Sequence, residues 1–353
     1  MENININRPS FKDLSWLVTE EEYRADEAYS YSIISKFNKE GFDGLPKLFD
    51  KIDSPSLVFG SMVDTLRTGT TQEFNKRFVV ADWPTISDSL TIVAKTLFNQ
   101  YKDQYKSIED IPDGILARVG EECGYYANSK YSSFRVKQIK ENCSEYYNLL
   151  FLTQDKTLIQ SSDYLDALDC ANILKSNVNT KDYFSPNNPF NNNVEKFYQL
   201  KFKGKYLDYK VRCMADLIIV DHVNKTVLPC DLKTSFKPEW KFFKSFIEWG
   251  YWIQAQLYWY IIRQVMDNSD FYKDYTLLDY KFIVISKNTK LPLIWTYTDT
   301  QVMVDITYGK NNNYICRNFR NIIPELDYYL QTKPKYPIGI EEINDIKQWL
   351  NNE

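Results

Sequence analysis

The chain has 353 residues, enough to bury a full core as one elaborated domain or two small ones. Aromatic residues make up 16 % of it, which excludes a disordered chain. With 43 Lys and Arg against 47 Asp and Glu, its net charge of −4 is not that of a protein coating nucleic acid nonspecifically, although it leaves room for a local basic channel. In chain order, residues 1–24 read as a polar lead-in with Pro9 and several Asn. A short helix is predicted over Tyr29–Asn38, and another after Pro55, where FGSMVDTL (Phe59–Leu66) carries Gly60 and Asp64. Residues 85–180 are mainly helical in pattern, as in SDSLTIVAKTLFNQYKDQY and SSDYLDALDCANILKS, the latter opened by a serine N-cap signal. FSPNNPFNNN (Phe184–Asn193) is a turn-rich break between helices and sheet.

Glu195 opens the strand-like VEKFYQLKFKGKYLDYKVR, where it could pair with Lys201 or Lys203 across a strand. Lys210 and Arg212 alternate on the approach to Asp216, either as ordinary exposed strand charges or within reach of a phosphate. Val211–Val220 is an apolar, β-branched run, followed by a polar turn (Asp221, His222, Asn224, Lys225) and a second strand over Thr226–Thr234. His222, the single histidine, reads as a plain turn residue. Asp216 sits on the first strand of this hairpin; Asp231 and Lys233, two apart on the second, point to one side. An Asp-x-Lys at a strand end is commonly a solvated edge. Here both carboxylates sit in apolar strands, MADLIIV and VLPC, and buried charge is costly unless paired or bound to metal. Two carboxylates offer hard oxygen ligands for Mg²⁺ or Mn²⁺, and a lysine can hold an attacking water or offset charge on a phosphate.

In TSFKPEWKFFKSF, Lys237, Lys241 and Lys244 alternate with Trp240, Phe242 and Phe243. The stretch suits a phosphate backbone with stacked bases, and equally a solvated lysine face. A long apolar helix follows from Lys241 to Met266, interrupted only by Gly250. Gln254 and Tyr258, four apart, share one face of it. Trp252, Trp259 and Tyr260 read as core filling, whereas the Gln254 amide must find partners. YKFIVIS and LPLIWTYT are two further strands joined by KNTK; Val302–Leu330 reads as a helix broken at Pro324, and EEINDIKQWL as a final short one. The six cysteines are scattered with no C-x-x-C, so no zinc is expected. With no signal peptide and no apolar run of spanning length, the expectation is a cytoplasmic protein with reduced thiols and no membrane contact.

Asp216 followed by Asp231-Leu232-Lys233 resembles the core of the PD-(D/E)xK nuclease superfamily, with Asp in the variable acidic position. Gln254 and Tyr258 in WIQAQLYWYII resemble the Gln-x-x-x-Tyr helix of its RecB-like and phage exonuclease branch. FGSMVDTL resembles that branch's Gly-x-x-x-His motif, with Gly60 as the glycine and Asp64 where the family has histidine. LIQSSDYLDALDCANIL, followed by Glu195 and the hairpin, is similar to exonuclease VIII-like phage proteins; the likeness runs in order over roughly residues 25–300.

The resemblance implies a single α/β nuclease domain over 1–353: a central mixed sheet flanked by helices. Its restriction-endonuclease-like core would span about 25–80 and 190–300, with a helical insertion at about 80–185 and a helical tail at about 302–353. It further implies Mg²⁺ or Mn²⁺ held by Asp216, Asp231 and the Leu232 carbonyl, with Lys233, Gln254 and Tyr258 in catalysis. Asp64 would complete the metal shell, tilting it toward Mg²⁺, or would only cap a helix. Glu195 resembles a family glutamate that precedes the metal-binding aspartate; Lys237, Trp240, Lys241, Lys244 and Arg212 would face DNA. The iron–sulfur cluster of some relatives is not expected, because only Cys316 follows the core. The implied activity is an exonuclease degrading linear duplex DNA from the 5′ end, as in exonuclease VIII-like and lambda exonuclease-like proteins. Those relatives form ring-shaped homo-oligomers, and a single-strand annealing recombination protein would be the partner. Two alternatives stand beside it: a structure-specific or single-strand endonuclease, and an inactive DNA- or partner-binding protein, which Asp64 in place of histidine would suit.

Overall fold

The computed structural model describes residues 8–50, 54–188, 192–309 and 313–337. Two compact units divide the chain: residues 1–60 with 170–353, and residues 61–169. The first unit begins with a short 3-10 helix at Phe11–Leu14, then α1 (Glu20–Ala25) and α2 (Tyr31–Glu40). The described part of the lead-in, from residue 8, adds to the core: Phe11 is fully buried against Phe202 and Tyr272. Helix α3 (Pro55–Thr68) passes from the first unit into the second.

The second unit holds α4 (Thr71–Arg77), β1 (Phe78–Val80), α5 (Asp88–Tyr101), α6 (Asp113–Glu122), α7 (Ser132–Leu152) and β2 (Thr157–Ile159). Two of its helices start where the sequence supplies side-chain acceptors for the orphan N–H groups: Thr70 forms a capping box with Glu73 before α4, and Ser87 caps α5. Val93, Leu97, Leu116, Val119, Ile139 and Tyr147 form its core. The short parallel pair β1–β2 was not foreseen, three residues being too few for a periodic signal.

Helix α8 (Ser161–Ser176) leads back into the first unit. There follow α9 (Lys181–Phe184), β3 (Val194–Tyr206), β4 (Tyr209–Asp221), β5 (Thr226–Ser235), α10 (Phe242–Trp249), α11 (Tyr251–Asp267), β6 (Thr276–Leu277), β7 (Tyr280–Ser286) and β8 (Pro292–Tyr297). The strands make one six-stranded sheet in the order β3-β4-β5-β7-β8, with β6 also beside β5. Pairing is antiparallel except for β5 with β6 and β7, which run parallel. A parallel neighbour requires a crossover, and α10 and α11 supply it. This is an α/β architecture, a mixed sheet packed against helices, as expected.

The predicted helix over Lys241–Met266 is two helices. Gly250 takes a left-handed conformation (φ 65°, ψ 39°), ends α10 and starts α11 at a new angle. Ile253, Leu257 and Ile261 of α11 then bury against Phe202, Cys213 and Ala215 of the sheet, with Ile34 of α2 in the same core. The helix expected from Val302 begins only at α12 (Phe319–Thr332), after two short antiparallel strands, β9 (Ile306–Tyr308) and β10 (Tyr314–Cys316). Asn318 sets that start: its side chain accepts from Arg320 N, and its own N–H is taken by Asp305 Oδ1. EEINDIKQWL lies outside the described residues. None of the six cysteines is in a disulfide, and among the described residues no helix is long and apolar enough to cross a membrane.

Candidate active site

Strands β4 and β5 pair from Asp221↔Thr226 down to Leu217↔Cys230, and there the ladder stops. Beyond it β4 stays with β3, while β5 runs on beside β7 to Ser235. The next facing pair, at the crotch of this fork, is Asp216 and Asp231. Where backbones part, their polar groups need other partners. Asp216 answers this locally: its Oδ2 accepts from Leu232 N at 3.0 Å. Its Oδ1 accepts from Gln199 Nε2 at 3.3 Å. Gln199 stands opposite Asp216 on β3 with φ 54°, a conformation that costs a side-chain-bearing residue energy. The pleat slips there. Core-facing side chains run Phe197, then Leu200 and Phe202 on β3, and Ala215, then Ile218 on β4, steps of three rather than two.

Asp231 is 2 % exposed and sits between two partners. Lys233 Nζ lies 2.5 Å from its Oδ2, and Gln254 Nε2 donates to its Oδ1 at 2.5 Å. The alternation of β5 puts Asp231 and Lys233 on the face that α11 covers, and the Lys233 ammonium also lies over the Tyr251 ring, 4.7 Å from its centroid. Burial pulls the Lys233 pKa down, but Asp231, Tyr251 and Asp216 outweigh it and hold the group above its ordinary value. Those neighbours favour the ammonium form of Lys233, which can orient and neutralise.

Tyr251, Gln254 and Tyr258 lie three and four apart and so project from one face of α11, whose phase Gly250 sets. A carboxylate only accepts, so the nitrogen end of the Gln254 amide must face Asp231. The oxygen end is left buried with no partner. Gln256 on the same helix shows the contrast. Its nitrogen donates to Tyr297 Oη and to the Asp299 carbonyl, and its oxygen accepts from Asn318. Burial, then Tyr23, Cys213, Asp231 and Asp216, hold the Tyr258 hydroxyl well above its ordinary pKa. Sequence reasoning missed Gln199, Tyr251 and Tyr280 as neighbours of the carboxylates. Tyr251 shares the helical stripe of Gln254 and could have been found; the other two carry no sequence signal.

Other predicted residues lie elsewhere. Glu195 bonds His222 Nε2 at 2.8 Å, and His222 Nδ1 meets Tyr275 Oη at 3.0 Å. His222 is not a solvated turn residue: its side chain is 2 % exposed, packed among Phe271, Tyr272 and Tyr275. Arg212 is not an exposed strand charge either. It is 5 % exposed, with its guanidinium 4.8 Å from the Tyr23 ring centroid, because α1 covers that part of the sheet. Lys237 pairs with Glu248 at 2.6 Å. Trp240, Lys241 and Lys244 are exposed, while Phe242 turns into the core against Trp295. Gly60 packs on β5 so closely that a Cβ there would stand 3.0 Å from Thr234 Oγ1. Asp64 belongs to the second unit, where it forms an ion pair with the buried Arg67.

Among the described residues no three His, Cys, Asp or Glu side chains form a metal-holding group. The donors at the fork are nonetheless of one kind: two carboxylates, the unpartnered Gln254 oxygen and the Leu232 carbonyl. Asp216, Asp231 and Lys233 sum to one negative charge. An all-oxygen set with a net negative charge and an unsatisfied buried acceptor fits a hard divalent cation.

No protein-family model matches the sequence, and the search of curated proteins found no match. A comparison of folds pairs the chain with the crystal structure of a protein from Eubacterium rectale described as "Putative exonuclease". The two are 16 % identical, with 65 % of this chain and 76 % of that one covered, at a TM-score of 0.29. At that score the likeness carries no weight here.

Proposed function

We propose that the protein is a divalent-metal-dependent deoxyribonuclease that hydrolyses phosphodiester bonds, acting on linear duplex DNA as an exonuclease of 5′→3′ polarity. One observation carries the reading. A buried aspartate is held by a lysine two residues on and by a helix glutamine, at the point where a second aspartate's strand diverges. This is the pattern that the PD-(D/E)xK resemblance leads one to expect of Asp216, Asp231, Lys233 and Gln254. In this reading the carboxylates, the Leu232 carbonyl and the Gln254 oxygen would hold Mg²⁺ or Mn²⁺. The bound cation supplies Lewis-acid polarisation of the phosphate and a water acidic enough to attack near neutral pH.

The chain's own part follows from the geometry. Lys233, kept protonated, donates to the attacking water or to a phosphate oxygen and offsets charge as it grows there. Gln254 donates to the Asp231 carboxylate and would hold it oriented for a cation. Tyr258 carries a hydroxyl that stays neutral, suited to donating to a phosphate oxygen. Exposed Trp240, Lys241 and Lys244 would steer the strand through charge and stacking.

A second reading is a DNA-binding protein without hydrolysis. It is favoured by Asp64, which stands where the family has histidine and is already neutralised by Arg67. Digestion of end-labelled linear duplex with Mg²⁺ or Mn²⁺, beside a closed circle, separates the readings. Metal-dependent loss of the linear DNA alone, abolished in Asp231→Asn, is the expected result, and the labelled end gives the polarity. Cutting of the circle would make the protein an endonuclease. DNA binding without cleavage by either metal would leave the second reading.

A further inference from the structure

The Tyr280 hydroxyl is the one polar group at the fork that neither packing nor the resemblance explains. Tyr280 is fully buried, yet its oxygen has no hydrogen-bond partner. Native interiors rarely leave a hydroxyl so, and each case asks for a reason. Its position is fixed by register. Phe282 pairs with Asp231 across the parallel ladder, so the two share a face, and Tyr280, two residues earlier, shares it too. The Tyr280 ring packs edge-on against Tyr258, centroids 6.3 Å apart. Besides burial, the charges that oppose its ionisation are led by Asp231, with Tyr258 and Asp216 behind. The hydroxyl thus belongs to a side chain on the same face of the sheet as Asp231, and it bonds neither carboxylate directly. A polar group in that relation to a carboxylate is commonly joined to it through water. Mg²⁺ gives up its water reluctantly and usually keeps several such molecules.

We propose that Tyr280 is a positioning residue for this site: its hydroxyl hydrogen-bonds a water in the hydration shell of the divalent cation held by Asp216 and Asp231. The inference rests on the metal-dependent reading and adds a residue to it. Tyr280 does not touch the cation. It orients one of its waters, as outer partners do at metal sites generally. Tyr→Phe removes only the hydroxyl and keeps the packing with Tyr258.

The test is calorimetric titration of the full chain with Mg²⁺, without DNA, on wild type, Tyr280→Phe, Phe282→Leu, Asp231→Asn and Asp216→Asn. Near-UV circular dichroism and thermal midpoints check the fold of each. Wild type should bind saturably and both aspartate variants should not. Tyr280→Phe should bind about tenfold more weakly with its fold unchanged, the loss typical of an outer-shell partner. Phe282→Leu, a packing control, should melt lower yet bind within about twofold of wild type, if packing alone leaves the shell intact. Wild-type affinity in Tyr280→Phe overturns the role of Tyr280 and leaves the aspartate site standing. An equal loss in Phe282→Leu overturns it as well, by assigning the effect to packing. Absence of saturable binding by wild type, or binding that survives in both aspartate variants, overturns the metal reading itself.

Discussion

Lys233→Met separates the lysine's charge from its bulk. The methionine keeps most of the apolar stem and removes the ammonium from Asp231, which is 2 % exposed. Asp231 would then keep only the Gln254 N–H, with Asp216 facing it across the fork. Removing one partner of a buried ion pair costs about 3–5 kcal/mol, because the other charge is left uncompensated. A stranded carboxylate can escape by taking up a proton. For a carboxylic acid of ordinary strength that costs about 4 kcal/mol at pH 7 and about 2 kcal/mol at pH 5.5, at 1.36 kcal/mol per unit. A second carboxylate nearby makes proton uptake easier, so both figures are upper bounds. The expected loss is therefore about 3–4 kcal/mol at pH 7, roughly halved at pH 5.5. Urea unfolding of wild type and variant at both pH values, in EDTA, measures it. Lys233→Met/Asp231→Asn should recover most of the loss, since no charge is then left unpaired. A loss below about 1 kcal/mol at pH 7, or one independent of pH, would refute the claim that Lys233 serves to neutralise a buried Asp231.

Arg212→Met tests a buried cation whose Nε and Nη1 have no hydrogen-bond partner. Stability within about 1 kcal/mol of wild type, or higher, is expected from replacing such a group by an apolar one, with DNA affinity unchanged. A large fall in DNA affinity with the fold intact would return Arg212 to the phosphate-binding set. Glu195→Gln and His222→Asn should each cost about 1–3 kcal/mol in urea unfolding, the price of disturbing a buried hydrogen-bonded pair, and leave cleavage intact. Loss of cleavage by well-folded Glu195→Gln would place that carboxylate in the active site. Lys233 is held above its ordinary 10.5, and Tyr258 and Tyr280 above 10.0. Raised folded values mean that their contribution to stability is full below about pH 10 and is lost as pH rises through those values. The urea midpoint should accordingly hold steady between about pH 8 and 9.5 and fall beyond about 10.5; a midpoint unchanged at pH 11.5 would contradict these shifts.

The groups of the candidate site were legible because they break a local rule. Asp216 and Asp231 are charges inside apolar β-runs, and Gln254 is an amide in an apolar helical stripe. Such conflicts are resolved only by a partner, and the structure supplies one to each. The strands β3, β4, β5, β7 and β8 were legible for the opposite reason, that pattern and propensity agree. What escaped notice depends on chain brought from far away. His222 is buried by Phe271, Tyr272 and Tyr275, some fifty residues on, and Arg212 by α1. Gln199 is unreadable in another way: nothing about a glutamine announces φ 54°, and strict alternation along β3 puts its neighbours on the wrong faces. Gly250 was visible as an interruption, but that it would end one helix and re-aim the next depends on its left-handed conformation.

The fork explains why so much charge can be buried in one place. In an unbroken ladder, Asp216 and Asp231 would be like charges facing each other across two strands, an arrangement that destabilises a sheet. Where the strands part, each carboxylate gains donors that an intact ladder would have consumed or hidden: Leu232 N for Asp216, Gln254 Nε2 and Lys233 Nζ for Asp231. Lys233 acts as a counter-ion carried by the chain itself, two residues from the charge it balances. The protein can thus fold without stranding Asp231, and the site still keeps a net charge of −1. A divalent ion entering it would share Asp231 with Lys233 rather than fill a gap, and each would weaken the other's hold on that carboxylate. Lysine displaced in this way moves toward whatever negative charge arrives next, and at a phosphodiester that is the phosphate itself. On the proposed reading, the same residue that allows Asp231 to be buried would also answer the charge of the substrate.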